Sequence, residues 1–168
     1  NIATLSNAPV LSIARDRLAG YKAALQDNGL EVKDELIRHC VHGGMLLDEV
    51  ETAMNDLLTL KNKPDAILAS ADKLTTGCLR ILKSNGLKVP DDMALVGFSN
   101  TDLTELLDPP LSVIRQPAFE MGEVATDLLL QLIESKRPVT EFETRVLSTE
   151  LIVRDSSQPI SNKVRALV

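Results

Sequence analysis

The chain has 168 residues and a formal net charge of −6 at pH 7, with 44% apolar residues and 2% aromatic ones. This length suits a single domain, and the apolar content is high enough for a packed core, which argues against intrinsic disorder. Because affinity for nucleic acid depends mainly on Lys and Arg neutralising phosphates, the acidic balance predicts that this chain alone binds DNA poorly. No apolar run approaches the roughly 18 residues that a membrane-spanning helix needs.

Short apolar runs of strand length alternate with helical patterns along the chain. Strands are predicted at residues 2–5, 35–40, 66–69, 94–98, 111–114 and 146–153. Apolar residues spaced three and four apart predict four helices, around residues 18–25, 50–58, 74–82 and 117–135. This alternation predicts an α/β fold, in which a parallel sheet is covered by helices on both faces.

Several helix boundaries carry chemical signals. The first and third helices are expected to end at Gly29 and Gly86, because glycine readily adopts the left-handed conformation that closes a helix. Asp72 stands before the third helix and is expected to cap its free amide groups. Pro117 suits the first turn of the fourth helix, where its missing N–H costs nothing. Residues 156–168 lack periodicity and are expected to fray.

The cysteines and histidines do not indicate chemistry. Cys40 and Cys78 lie inside apolar patterns, which favours two buried free thiols in a reducing cytosol over a disulfide or redox pair. His39 and His42 flank Cys40 without a third and fourth ligand nearby, so no metal site is expected. The chain has no G-x-G-x-x-G, P-loop or G-x-S-x-G motif and no visible nucleophile–base set. We therefore expect neither an enzyme nor a bound cofactor.

Small polar residues follow three of the predicted strands. They are Ser6 and Asn7 after the first, Ser70 and Asp72 after the third, and Ser99 and Asn100 after the fourth. In open parallel sheets ligands bind beyond the carboxyl ends of the strands, which meet at one edge. These side chains therefore predict a ligand cleft at that edge. The alternative is that Asn100 or Thr101 only caps a short helix before Leu107.

A set of motifs in the second half of the chain is specific in combination. Residues 65–134 contain, in order, G-L-x-V-P-x-D, A-L-V-G-F, P-P-L-x-x-I-R-Q-P and M-G-x-x-A-x-x-L-L-L, and residues 17–25 read RLAGYKAAL. Together these motifs resemble the LacI/GalR family of bacterial transcription regulators, over about residues 1–154. The family has an N-terminal helix-turn-helix headpiece followed by two periplasmic-binding-protein-like lobes of type I, each a Rossmann-like three-layer sandwich.

The resemblance implies a division of this chain. Residues 1–115 would form most of the C-terminal effector-binding lobe, and residues 138–155 would return a strand to it. Residues 116–137 would form a helix that belongs to an N-terminal lobe missing here, and residues 156–168 a flexible tail. Because the natural sheet of that helix would be absent, its apolar stripe should be covered by another copy of the chain or by repacking on its own lobe.

The resemblance also implies site residues. Arg17 matches an arginine that contacts effector in sugar-binding relatives, with a surface ion pair to Asp16 as the alternative. Asp72 matches an acid of the family, whereas Ala71 replaces an asparagine, and Ser99 replaces an acid that commonly accepts hydrogen bonds from the effector. The candidate ligand-binding residues are therefore Arg17, Asp72, Ser99, Asn100, Ser6 and Ser70, and the neutral Ser99 argues against a standard sugar effector.

Family members act as homodimers, which gives candidate interface residues at Thr76, Leu79, Leu106 and Leu107; alternatively, these leucines fill the core. The expected function is the effector-binding and dimerisation region of a cytoplasmic LacI-type regulator. It would sense a sugar-like or nucleoside-like metabolite and bind operator DNA through a headpiece that is absent here. The alternative is a periplasmic solute-binding protein of the same fold. A helix-turn-helix or a signal peptide at the true N-terminus would distinguish the two.

Overall fold

Six strands form one sheet in the part of the chain that the computed structural model describes, residues 1–135 and 143–158. In chain order they are β1 (Ile2–Asn7), β2 (Ile37–Cys40), β3 (Ala66–Ala69), β4 (Ala94–Phe98), β5 (Ser112–Arg115) and β6 (Glu150–Ile152). Their spatial order is β2-β1-β3-β4-β5-β6, and only β6 is antiparallel to its neighbour. The predicted α/β fold with a mainly parallel sheet is confirmed.

Four α-helices connect or follow these strands within the described residues. They are α1 (Ser12–Asp27), α2 (Leu47–Thr59), α3 (Asp72–Ser84) and α4 (Ala118–Glu134). The main core cluster joins the sheet to α2 and α3 through fully buried aliphatic side chains such as Leu5, Met54 and Leu74. No α1 residue belongs to that cluster, and α1 packs on the other face of β1, where the Tyr21 hydroxyl donates to the Ile2 carbonyl at 2.7 Å. The sheet is thus covered on both faces.

α3 approaches β4 closely at Gly97. A Cβ atom added to Gly97 would lie 2.1 Å from Thr75 Oγ1, so only glycine fits at this position of β4. The same Thr75 hydroxyl lies 2.9 Å from the Ala71 carbonyl and 3.2 Å from the Phe98 carbonyl, so the two oxygens share its one proton. These contacts hold the first turn of α3 against the carboxyl end of β4.

Some predicted boundaries agree with the structure and others differ. The strands predicted at 35–40 and 146–153 are shorter in the structure, as Ile37–Cys40 and Glu150–Ile152. Gly29 and Gly86 both adopt a φ of 69° at the ends of α1 and α3, as predicted. The expected cap at Asp72 is wrong: Ala71 is the N-cap of α3, and Asp72 is the first residue of the helix, where its carboxylate points away to another partner. β1 extends beyond the predicted residues 2–5 to Asn7, because Ser6 and Asn7 continue the pairing with β2.

The apolar stripe of α4 does not repack on its own lobe, so that half of the expectation is wrong. None of the α4 residues, all of which the structure describes, is buried, and Leu132 is 42% exposed while Leu128 is half-buried. Among the described residues, Arg145, Leu147 and Thr149 line a pocket together with one side of α4. Coverage by another copy of the chain stays a prediction.

The segment after β6 is tied to the sheet, which corrects the expected fraying for residues 156–158. Ser156 is fully buried; its hydroxyl donates to the Leu95 carbonyl at 2.6 Å and accepts from the Ser112 amide at 2.8 Å. The rest of the predicted tail, residues 159–168, and residues 136–142 lie outside the described residues. Among the described helices we find none with the length and apolar character of a membrane span.

The two cysteines are free thiols, which agrees with the preferred interpretation of their pattern. Both Cys40 and Cys78 are fully shielded from solvent. Burial raises the pKa of the Cys40 thiol to about 11, with a smaller contribution from Glu49. Burial, with a smaller contribution from Cys40, also raises the pKa of Cys78 above its ordinary value. Neither thiol is therefore poised to react in the folded protein.

Candidate functional site

A cleft of about 300 Å³ opens at the carboxyl edge of the sheet, beside the ends of β3, β4 and β5. It is lined by Arg17, Ala71, Asp72, Phe98, Ser99, Asn100, Thr101 and Gln116. Four of the six predicted ligand-binding residues are thus brought together from α1, α3 and the segment after β4. This placement agrees with the expectation for ligand sites in open parallel sheets.

Arg17 forms one wall of the cleft from α1. Its guanidinium lies 3.9 Å from the centroid of the Phe98 ring, and Nη1 donates to the Ser70 carbonyl at 2.6 Å. Burial lowers the pKa of Arg17 from its ordinary value, yet a guanidinium stays protonated in proteins. Within residues 1–135 and 143–158 it pairs with no carboxylate, so the ion pair with Asp16 is not formed. Arg17 therefore presents an unneutralised positive charge to the cleft.

Asp72 and Ser99 also line the cleft, from the start of α3 and the segment after β4. The Ser99 hydroxyl donates a short hydrogen bond to Asp72 Oδ1 and accepts from the Thr101 amide at 3.3 Å. Ser99 is only 4% exposed, whereas Asp72 lies open to the cleft. The hydroxyl is thus used within the protein, and the carboxylate is the group that faces a ligand from this side.

Asn100 lines the cleft and bonds to the backbone of Gln116, another lining residue. Its Nδ2 donates to the Gln116 carbonyl at 2.8 Å, and its Oδ1 accepts from the Gln116 amide at 2.9 Å. Thr101, not Asn100, caps the short turn Asp102–Glu105, where its hydroxyl accepts from the Leu103 amide at 3.3 Å. The capping alternative therefore holds for Thr101, and Asn100 joins the end of β4 to the start of α4.

Ser6 and Ser70 lie behind the cleft and do not line it. They are 1% and 3% exposed, and their hydroxyls have no hydrogen-bond partner among the described residues. Ser70 contributes to the site through its carbonyl, which holds Arg17. The structure thus places these two predicted ligand contacts outside the cleft lining, and their role stays a prediction.

Two lining residues, Phe98 and Gln116, were missed by the sequence interpretation. Phe98 is the last residue of the predicted strand 94–98, and its contact with Arg17 depends on how α1 lies across the sheet. Gln116 stands in the R-Q-P motif, which was used only for the family resemblance. The motif could have indicated Gln116, because Gln116 directly follows the carboxyl end of β5.

Two oppositely charged side chains line the cleft. Arg17 offers donors and positive charge, and Asp72 offers an acceptor and negative charge. No cluster of three metal-ligating side chains occurs in the described parts of the chain. A ligand that fits the cleft would present a hydrogen-bond acceptor to the guanidinium and a donor to the carboxylate.

The candidate interface residues separate into exposed and buried ones. Leu106 is 76% exposed and Thr76 is exposed, so both are available to a partner. Leu107 is half-buried against the core. Leu79 is only 6% exposed and belongs to the core cluster, so the alternative of core packing holds for Leu79 and not for Leu106.

A family model described as a periplasmic binding protein-like domain matches residues 1–157. The chain belongs to this family. It is 33% identical over 159 residues to the HTH-type transcriptional repressor CytR of Escherichia coli (strain K12). The aligned segment covers 95% of this chain and 45% of CytR. The resemblance to LacI-type regulators that the motifs indicate is therefore confirmed.

Solved structures of LacI-type regulators share the fold. The transcriptional regulator CelR in complex with cellobiose matches with a TM-score of 0.82 and 32% identity, covering 93% of this chain and 46% of that one. A sugar-binding transcriptional regulator of the LacI family from Escherichia coli, in complex with phosphate, matches with a TM-score of 0.77 and 26% identity, covering 92% and 54%. This periplasmic-binding-protein-like chain thus spans about half the length of the relatives it matches.

Proposed function

We propose that this chain is the effector-binding and dimerisation region of a cytoplasmic LacI-type transcriptional regulator that senses a sugar-like or nucleoside-like metabolite. The observation that carries the proposal is the cleft at the carboxyl edge of the sheet, where Arg17 and Asp72 present opposite charges. Membership in a family of effector-binding domains supports it, as does the cellobiose bound by the related CelR. The function is binding, without catalysis.

The mechanism is a population shift. An effector in the cleft would favour one arrangement of two lobes, and that arrangement would change how a dimer presents two helix-turn-helix headpieces to operator DNA. The headpieces would lie elsewhere in the full-length protein. That the matched relatives are transcriptional regulators favours this function over a periplasmic solute-binding protein.

The uncovered surfaces support a place for the chain in a larger assembly. The exposed α4, with Leu129 at 56% and Leu132 at 42%, would pack in the N-terminal lobe of the full-length protein. Thr76, Leu106 and Leu107 would meet their symmetry mates in a homodimer. Burying one exposed leucine side chain contributes about 1.5–3 kcal/mol. Covering these leucines would therefore stabilise the full-length, dimeric protein.

The test is a ligand screen on the full-length regulator. Thermal denaturation is measured with sugars, nucleosides and phosphorylated metabolites, and a true effector at 100 times its dissociation constant should stabilise the protein by about 2.7 kcal/mol. Arg17→Ala should remove this shift, whereas Lys61→Ala, which deletes an exposed charge after α2, should keep it. A panel without any shift, or an unaltered shift in Arg17→Ala, would contradict the proposal.

A further inference from the structure

We infer that Asp72, and not residue 99, supplies the acidic hydrogen-bond acceptor of the cleft, and that Ser99 is a positioning residue that holds the Asp72 carboxylate toward the ligand. The inference rests on the proposed function and names a specificity-determining residue for it. It implies that the acceptor has moved from the end of a strand to the first turn of the neighbouring helix.

Ser99 is not available to a ligand. Its hydroxyl proton is donated to Asp72 Oδ1, and its oxygen accepts from the Thr101 amide. The side chain is 4% exposed, so the hydroxyl lies beneath the surface of the cleft. A ligand that reaches this wall meets the carboxylate first.

Asp72 does not cap the N-terminus of α3. Ala71 occupies the N-cap of α3, and no cap hydrogen bond from a side chain is made there. The carboxylate binds Ser99 instead, 27 positions along the chain. In the described parts of the chain no donor reaches Asp72 Oδ2, so this oxygen remains an open acceptor on the cleft wall.

The carboxylate is held in place by the packing beneath it. Gly97 lets Thr75 approach β4 so closely that a Cβ at position 97 would overlap the threonine side chain. The Thr75 hydroxyl is shared between the Ala71 and Phe98 carbonyls, which join the start of α3 to the end of β4. Because Asp72 is the first residue of α3 and Ser99 directly follows β4, this packing fixes the backbone on both sides of the Ser99–Asp72 contact and so orients the carboxylate.

The arrangement selects a class of ligand. A carboxylate accepts hydrogen bonds and repels anions, whereas the guanidinium of Arg17 donates only. The ligand therefore carries a hydroxyl or N–H group on the side of Asp72 and an oxygen or other acceptor on the side of Arg17. A neutral polyol or a nucleoside meets both conditions, and an anionic group is accommodated only at the Arg17 end.

Asp72→Asn isolates the open oxygen. The amide keeps an acceptor for the Ser99 hydroxyl, but it turns the position of Oδ2 into a donor, so the helix contact survives and the ligand contact does not. Asp16→Asn is the matched control, because Asp16 is an exposed acid on α1 whose replacement makes the same change in net charge outside the cleft lining. Both variants are made in the full-length regulator, and their unliganded melting temperatures report on folding.

Binding of D-ribose, cellobiose and adenosine is measured by calorimetry. We expect at least one of these probes to bind the wild type and Asp72→Asn to lower its affinity by about tenfold or more, with Asp16→Asn unchanged. Ser99→Ala should also weaken binding, but should cause no further loss when combined with Asp72→Asn. That dependence is the signature of a positioning role, since a merely structural defect would add to the first loss.

The outcomes separate the inference from the proposed function. A probe that binds the wild type and Asp72→Asn equally well overturns the inference and leaves the proposed function standing. Equal losses in Asp72→Asn and Asp16→Asn also overturn it, because the effect would then follow net charge. Wild-type protein that binds none of the three probes overturns the sugar-or-nucleoside function, and the inference falls with it.

Discussion

The guanidinium of Arg17 lies 3.9 Å from the centroid of the Phe98 ring, a contact that joins α1 to the end of β4 across the cleft. The ring covers one face of the cation, while the Ser70 carbonyl fixes Nη1. These two contacts restrict the position of the guanidinium. Because the cation is partly desolvated, the attraction between guanidinium and ring is stronger than it would be on an open surface.

Phe98→Leu should weaken effector binding by releasing Arg17. A cation–ring contact contributes roughly 0.5–2 kcal/mol, so we expect the dissociation constant to rise by about 2- to 30-fold. Titration calorimetry with a compound found in the screen measures the change. Phe98→Tyr keeps the ring and should bind nearly as the wild type does; equal affinity of Phe98→Leu and the wild type would show that the ring does not orient Arg17.

Gly97→Ala should destabilise the fold by about 1–3 kcal/mol, because the new methyl group overlaps Thr75 and forces α3 away from β4. Urea denaturation measures the free energy of unfolding. Gly20→Ala in α1 is the matched control, since a Cβ there meets nothing within 4 Å and should stabilise the helix by about 0.5–1 kcal/mol. Similar free energies for the two variants would refute the close approach.

The free energy of unfolding should fall as the pH rises above about 9. The folded protein holds the Cys40 proton up to a pKa of about 11, while the unfolded chain releases it near the ordinary value of 9.0, so the unfolded state binds fewer protons between these values. Cys78 and Tyr21, whose pKa values burial also raises, act in the same direction. Denaturant titrations at pH 8 and pH 10.5 measure the loss.

Cys40→Ala should flatten that pH dependence, whatever its effect on stability at pH 8. In the same samples, a thiol reagent at pH 8 should label Cys40 and Cys78 only after unfolding, because both are buried. Rapid labelling of the native protein would contradict the buried, protonated state of these thiols.

Ser156→Ala should lower the free energy of unfolding by about 1–3 kcal/mol. The change leaves the Ser112 amide and the Leu95 carbonyl without the hydroxyl that bridges them in the core. Ser157→Ala removes a hydroxyl that is only half-buried and should cost less. Thermal denaturation compares the two variants. An equal loss of stability would show that the buried Ser156 hydroxyl contributes no more to stability than the half-buried Ser157 hydroxyl.

Local patterns were sufficient for much of the fold. The predicted strands at 66–69 and 94–98 match β3 and β4 because each is a short apolar run bounded by polar or turn residues. Gly29 and Gly86 mark helix ends because the left-handed conformation there depends on the residue itself. The same patterns could not separate Leu79 from Leu106, since both are apolar and only packing decides which one is covered.

The amino-acid sequence by itself determined the alternation of strands and helices, the polar ends of three strands, and the family, because each of these is written in neighbouring residues. Only the tertiary structure decided the partners within the cleft. Ser99 meets Asp72 across 27 positions and Arg17 meets the Ser70 carbonyl across 53, through contacts that depend on sheet register and on how each helix lies against the sheet. In the sequence, Ser99 stands where the family resemblance predicts an acid. In the structure, the Ser99 hydroxyl donates to the carboxylate of Asp72.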